Sequence, residues 1–281
     1  MGIPHPERVI FPGAGITRQQ MVDYYRQMGP LMLPYYRNRA LTLIRWPHGL
    51  GARHFYQKHQ DSSSAGDSPI TVGSVEQLLW WAARGAIEWH VPLGTLSSPA
   101  RHDWAVMDMD PSGDDWMQVV GAARIMGHLL DVLSIPCGMK TSGRRGLHFF
   151  IRIEPEDAGR VILGLKAVAQ VAVKTYPEVF TVERLKAKRQ GKIYLDYLQN
   201  GAGRTMIGIY SLRALETASV SCPVRWSDLT FPPDYWTMSR VLLKVKEQGD
   251  WFAQLPAVPL TARLGERGLG PGPKRAGGQI P

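Results

Sequence analysis

The chain has only two cysteines, Cys137 and Cys222, in 281 residues. They are too few for a disulfide framework and form no Cys-x-x-Cys metal site. Both read as small buried hydrophobes in a reducing compartment. No apolar run reaches the length of a membrane span, and no basic-then-apolar leader opens the chain. These absences predict a cytoplasmic protein with no membrane partner. Acidic residues are also in deficit: 24 Asp and Glu face 33 Lys and Arg, a net charge of +9. Such a surface favours polyanions, nucleic acid first, although excess charge also serves solubility. There is no internal repeat, and the length suffices for one large core or two tightly joined lobes.

What is present begins with Val106-Met107-Asp108-Met109-Asp110-Pro111. The apolar stretch 104–107 reads as a strand, so Asp108 and Asp110 share a face, roughly 7 Å apart at Cα. Pro111 lacks an amide hydrogen and ends the ladder. Adjacent carboxylates repel unless a cation sits between them, and oxygen-only ligands suit magnesium or manganese. An Asp-x-Asp at a strand end also serves as a helix cap or a turn.

Around this pair the periodicities predict an α+β chain. Thr17 and Gln20 form a capping box ahead of a helix over 21–28. Strands are expected over 41–46, 54–58 and 86–91, a polar loop over 61–68, and a helix over 72–84 behind Ser74, closed by Gly85. Strand 104–108, helix 114–133, strands 138–141 and 147–153 and helix 156–176 make a split βαβ unit. Strand 192–198 and an extended 205–213 add sheet. A catalytic domain is expected over 1–255, and a flexible Gly- and Pro-rich tail over 256–281.

Two further segments carry chemistry. In Lys140-Thr141-Ser142-Gly143-Arg144-Arg145-Gly146-Leu147-His148, two glycines let backbone amides approach an anion. Ser142 adds a hydroxyl, Arg144 and Arg145 add charge matched to phosphate, and His148 returns on the next strand. The other reading is a solvated hairpin whose charges keep a sheet edge soluble. In the stretch 189–200, Asp196 lies among apolar and aromatic neighbours, which demands a metal or a cation partner. An Asp–Arg pair across the sheet, with Arg204 or Arg213, meets the same demand.

Taken in order, these motifs resemble the polymerase domain of bacterial DNA ligase D, in the archaeo-eukaryotic primase superfamily. The carriers are Asp108-Met109-Asp110-Pro111, Thr141 to His148, Arg189 to Asn200 and Tyr210-Ser211-Leu212-Arg213. Flanking matches are Val9-Ile10-Phe11-Pro12, Arg45-Trp46-Pro47-His48-Gly49, Phe55-Tyr56-Gln57-Lys58 and Glu88-Trp89-His90-Val91-Pro92. The resemblance implies a primase-polymerase fold of two sheet-and-helix lobes around a cleft. It implies template-directed nucleotidyl transfer from NTP or dNTP, with ribonucleotides preferred, at gaps and 3′ overhangs of broken DNA. Asp108, Asp110 and Asp196 would hold two Mn²⁺ or Mg²⁺ ions. Ser142, Arg145 and His148 would grip the triphosphate, with Arg189, Gln199 and Arg213 nearby. His90 would contact the nucleotide, and Phe55 or Tyr56 would stack on a base. Arg8, Arg18 and Lys58 would form a pocket for a DNA 5′-phosphate. Ku, a ligase and the nucleoid are the implied surroundings.

The chain departs from the family in carrying Arg8 and Arg18 where lysine is usual, and Ile44 where a lysine often stands. It has no Lys-x-Asp-Gly adenylation motif, so it is not expected to seal nicks itself. A primer-making primase and a catalytically idle DNA-end binding module are the competing readings. Three buried acids without a metal would be a liability, which argues against the idle module.

Overall fold

A computed structural model describes residues 2–60 and 68–270. The chain opens with β1 (Val9–Phe11), β2 (Ile16–Thr17), α1 (Arg18–Tyr36), β3 (Thr42–Arg45), β4 (Phe55–Gln57), α2 (Val75–Ala83) and β5 (Ala86–Pro92). It continues through β6 (Arg101–Asp110), α3 (Trp116–Val132), β7 (Gly138–Thr141), β8 (Leu147–Asp157), α4 (Ala158–Thr175) and β9 (Phe180–Thr181). The remainder is β10 (Ile193–Asp196), β11 (Thr205–Ile207), β12 (Pro223–Val224), α5 (Met238–Gln248) and α6 (Leu260–Glu266), with short 3₁₀ turns between. A six-stranded sheet runs β12-β7-β8-β6-β10-β9 and a four-stranded sheet runs β11-β5-β3-β4, while β1 and β2 pair separately. Among the described residues no helix is long and apolar enough to cross a membrane.

The local signals hold where the caps are. Thr17 closes its capping box with Gln20, Ser74 caps α2, and Asp115 accepts the amides of Met117 and Gln118 at the start of α3. Each cap satisfies amide groups that a helix end would otherwise leave unpaired.

Helix α1 is much longer than the expected 21–28 and continues through Pro30 and Pro34. Both prolines face solvent, four residues apart, so the hydrogen bonds they forfeit lie on the wet side. The opposite side buries Met28, Met32, Leu33 and Tyr36. Three buried tyrosines on this face donate to backbone carbonyls: Tyr24 to Tyr210 (2.8 Å), Tyr25 to Ile87 (2.6 Å) and Tyr36 to Ile209 (3.0 Å). Tertiary packing overrides the proline breaks because each ring adds apolar burial and a satisfied hydroxyl together.

The C-terminal stretch also departs from expectation. Residues 256–270 are not a loose tail: Val258 bridges to Ile153, and α6 buries Leu260 and Leu264. The α6 amide of Thr261 is held by the Glu156 carboxylate at 3.0 Å. Short helix-forming stretches among glycines and prolines are easily read as loop when their partner, here α4, lies far away in sequence. Residues 61–67 of the expected polar loop and 271–281 of the expected tail lie outside the described residues.

Candidate active site

Antiparallel register, more than any single motif, assembles the site. Strand β6 pairs β8 on one side, with Asp108 opposite His148, and β10 on the other, with Asp196 opposite Asp108. Lys140 of β7 lies opposite His148. A row of four ionisable side chains therefore crosses four strands in the order Lys140, His148, Asp108, Asp196. Residues directly opposite have Cβ atoms about 5 Å apart, so each feels its neighbour's charge.

Strand β10 stops at Asp196 for an identifiable reason. The chain turns into a 3₁₀ segment, Tyr197–Asn200, and the Asn200 amide takes over pairing with β6. Its Oδ1 accepts from Val106 N–H (2.8 Å) and its Nδ2 donates to Val106 O (2.7 Å). The Asp196 carboxylate accepts from Leu198 N–H and from the Gln199 side chain, both at 3.0 Å.

The glycine turn between β7 and β8 sits against this row. Gly143 has φ +72°, and an added Cβ would fall 2.5 Å from the Arg213 side chain. A Cβ on Gly146 would fall 2.7 Å from the Met109 carbonyl of β6. Glycine is therefore required at both positions, one for its backbone conformation and one for close approach to the acidic strand. The Ser142 Oγ accepts from Arg144 N–H (3.2 Å) and Gly146 N–H (3.0 Å), which leaves its own hydrogen to donate.

Between the two sheets lies a cleft of about 400 Å³. Its lining holds Asp108, Asp110, Ser142, Arg145, His148, Arg189, Gln199, Arg213 and His90, all expected site residues, together with Arg144 and Lys186. Arg189 stacks over Tyr194 (4.1 Å), the residue opposite Asp110 in the sheet. Arg145 reaches Asp114 at 2.8 Å. Apolar Pro111, Met206 and Ile207 complete the wall.

The electrostatics are those of a site short of positive charge at its floor. Burial, then repulsion from Asp110 and Asp196, pushes the Asp108 carboxyl well above its ordinary range. Burial, with Asp196 adding to it, also raises Asp110 despite the nearby Arg189. Asp108 Oδ1 is buried with no hydrogen-bond partner, and the nearest donor, His148 Nε2, stands off at 3.4 Å. Burial and two neighbouring cations hold His148 well below its ordinary value, and burial beside Arg213 brings Lys140 down to about 7. The neutral ring relays between the two: Lys140 Nζ lies 3.1 Å from its Nδ1, while its Nε2 faces Asp108.

Oxygen-only donors, one of them orphaned and two of them mutually repelled, fit a hard divalent cation. Among the described residues, however, no group of three His, Cys, Asp or Glu is gathered closely enough to hold one. Asp108 and Asp110 open onto the cleft, whereas the Asp196 carboxylate is engaged by donors of its own turn.

Other expected residues lie apart. Phe55 and Tyr56 are exposed on the outer strand β4 and do not line the cleft; the Arg45 guanidinium lies 5.0 Å from the Phe55 ring. Arg8 and Arg18 come together around Pro47. Arg18 is buried, donating to the carbonyls of Pro4 and Pro47, while Arg8 meets His48 Nδ1 at 2.9 Å. Lys58 instead lines a separate groove of about 190 Å³ with Thr42, Thr95 and Thr205.

Glu88 and Lys140 were given no role by the sequence reading. Glu88 is 2% exposed on β5. Burial alone would raise its carboxyl, but the His90 hydrogen bond and Arg213 outweigh burial and bring it down to about 2. The signal that singled out Asp196, a charge inside an apolar strand, was equally present at Glu88, between Ile87 and Trp89.

Comparisons with known proteins identify the family and the fold. The model of the LigD primase-polymerase domain matches residues 17–252. The chain belongs to this family. It is 33% identical over 278 residues to the bifunctional non-homologous end joining protein LigD of Bacillus subtilis, covering 92% of this chain and 45% of that one. The multifunctional LigD of Mycolicibacterium smegmatis is 30% identical, with 93% and 37% covered. The chain thus spans less than half the length of these relatives. Among solved structures, the polymerase domain of Mycobacterium tuberculosis ligase D in complex with DNA superposes with a TM-score of 0.84 at 26% identity, covering 91% of this chain and 97% of that one. The fold is accordingly the α+β primase-polymerase fold, and the class of chemistry that goes with a LigD primase-polymerase domain is nucleotidyl transfer.

Proposed function

We propose that this LigD primase-polymerase domain extends DNA 3′ ends and fills gaps at double-strand breaks by template-directed nucleotidyl transfer. The observation that carries the reading is the cleft itself: carboxylates at its floor and a rim of Arg144, Arg145, Arg189, Arg213 and Lys186. That arrangement suits a nucleoside triphosphate, with anionic oxygens toward the rim and the reacting phosphorus above the acids. Asp108, Asp110 and Asp196 would hold the divalent cations, Mn²⁺ or Mg²⁺. When bound there, such ions lower the pKa of an attacking 3′-hydroxyl and neutralise charge on the departing pyrophosphate.

The chain's own residues supply position and charge. Ser142 donates its free hydroxyl hydrogen toward a phosphate oxygen, while Arg145 and Arg144 meet the outer phosphates as forked donors. Arg189 and Arg213 balance negative charge beside the acids. Met206, Ile207 and Pro111 shield the sugar side from water, which strengthens every charge interaction in the cleft. Little covalent work falls to the protein in phosphoryl chemistry of this kind, so positioning and field account for most of the catalysis.

The proposal extends to a preference for ribonucleotides and to action beside Ku and an ATP-dependent ligase. Relatives named for non-homologous end joining support the setting at broken ends, and the ribonucleotide preference and Ku rest on the family resemblance alone. Arg8, with Arg18 buried behind it, is proposed to meet a 5′-phosphate; tighter binding of 5′-phosphorylated than 5′-hydroxyl gapped duplex, erased in Arg8→Ala, is the expected result. Primer extension on a gapped duplex, with each rNTP and dNTP and either cation, tests the main reading. Failure to extend with any nucleotide would leave only a DNA-binding module, and equal use of matched rNTP and dNTP would remove the sugar preference.

A further inference from the structure

Glu88 does not line the cleft, yet three of the residues that do converge on it. Its Oε2 lies 3.1 Å from His90 Nε2. Its Oε1 accepts the Ala214 amide at 3.0 Å and lies 3.3 Å from Arg144 Nη2 and 3.4 Å from Arg213 Nε. These partners come from three places in the chain: β5 itself, the glycine turn, and the segment after β11. A single buried carboxylate therefore joins three pieces of the cleft wall.

The chemistry of that carboxylate limits what His90 can be. A carboxylate only accepts hydrogen bonds, so the His90 Nε2 beside it must carry a hydrogen. In the neutral ring, Nδ1 is then an acceptor, and it has no hydrogen-bond partner among the described residues. The neighbouring groups of the wall, Arg144 and Arg213, are donors only. His90 Nδ1 is thus an acceptor set among donors, suited to a hydroxyl or amine hydrogen rather than to phosphate.

We propose that Glu88 is the positioning residue of this wall, locking His90 as its Nε2–H tautomer and drawing Arg144 and Arg213 onto the same side of the cleft before any nucleotide arrives. The role in nucleotide binding rests on the nucleotidyl-transfer reading; the tautomer and the assembled wall do not. A Glu88 that merely neutralised two arginines would act on the nucleotide independently of His90.

Glu88→Gln separates these roles because it keeps the shape of the side chain. Its amide oxygen remains the better partner for Ala214 N–H and the arginines, which turns the NH₂ toward His90 Nε2. That nitrogen must then accept, so the ring is expected to switch to Nδ1–H. Nitrogen NMR of histidine-labelled protein, with the His90 signals assigned by their loss in His90→Ala, reads the tautomer directly. The expected results are Nε2–H in the wild-type chain and Nδ1–H in Glu88→Gln. The KM for UTP or ATP in primer extension should rise at least tenfold, with kcat changed less than threefold. Adding Glu88→Gln to His90→Ala should cost less than it does in the wild-type background, because both act through one contact.

A wild-type His90 carrying its hydrogen on Nδ1 would overturn the proposal without any variant, so poor folding of Glu88→Gln cannot shelter it. Fully additive effects in the double variant would overturn it as well. If the wild-type chain showed the expected tautomer but bound neither UTP nor ATP, the nucleotidyl-transfer reading would fall while the positioning by Glu88 stood.

Discussion

Asp108→Asn tests the metal reading through stability as well as activity. Asp108 faces Asp196 directly across β6 and β10, with Asp110 two residues along the same strand. At an effective dielectric near 20, a like charge about 5 Å away costs roughly 3 kcal/mol and one about 7 Å away roughly 2. Lys140 and Arg213 offset part of this, but burial and repulsion prevail, since the Asp108 carboxyl titrates well above its ordinary range. The penalty has a ceiling. The chain can bind a proton instead, which at pH 7 costs an ordinary aspartate about 4 kcal/mol.

The isosteric amide removes that penalty, so Asp108→Asn should be more stable than wild type in chelator by about 1 to 4 kcal/mol. It should also fail to add nucleotides. Excess Mn²⁺ should narrow this difference, and reverse it where the advantage in chelator is at the low end of that range. The wild-type chain gains about 2.7 kcal/mol at a hundredfold excess over Kd, and the variant, short of one ligand, gains less. Urea unfolding at pH 7 with chelator or with Mn²⁺ measures all of this. An Asn variant that is less stable in chelator, or one that gains as much from Mn²⁺ as wild type, would refute the reasoning.

Three other expectations follow from particular contacts. Asn200→Ala strips partners from the Val106 amide and carbonyl, each worth about 1 to 3 kcal/mol when buried. Urea unfolding should show a loss of roughly 2 to 6 kcal/mol, and a loss under 1 would mean water replaces the side chain. Arg145→Ala should raise the KM for nucleotide, with some fall in kcat if the contact tightens in the transition state; a change confined to DNA affinity would make the turn a DNA contact. Glu88, with its folded pKa near 2 against an ordinary 4.5, contributes stability that is present above pH 4.5 and lost as pH falls through 2. The 2.5-unit gap corresponds to about 3 kcal/mol, so the wild-type chain should lose stability over that acid window while Glu88→Gln stays flat; parallel profiles would count against the network.

Local pattern determined a good deal here. Period-two alternation placed Asp108 and Asp110 on one face of a strand, and β7 runs over 138–141 as the residues predict. Capping side chains act within a few residues, so Thr17 and Ser74 announced their helices, while the cap at Asp115 emerged only in the structure. Motif order also sufficed to place the chain in its family. What only the tertiary structure decided is pairing between distant segments. The Lys140–His148–Asp108–Asp196 row depends on strand register, and a slip of one residue would turn every member to the other face. Glu88 draws its partners from the glycine turn, from Arg213 and Ala214, and from its own strand, so no window of sequence contains the wall it builds. Helix α1 runs through two prolines, and α6 forms in a Gly- and Pro-rich stretch, because burial against remote partners outweighs local propensity. Such burial is a sum over contacts that exist only once the chain has folded.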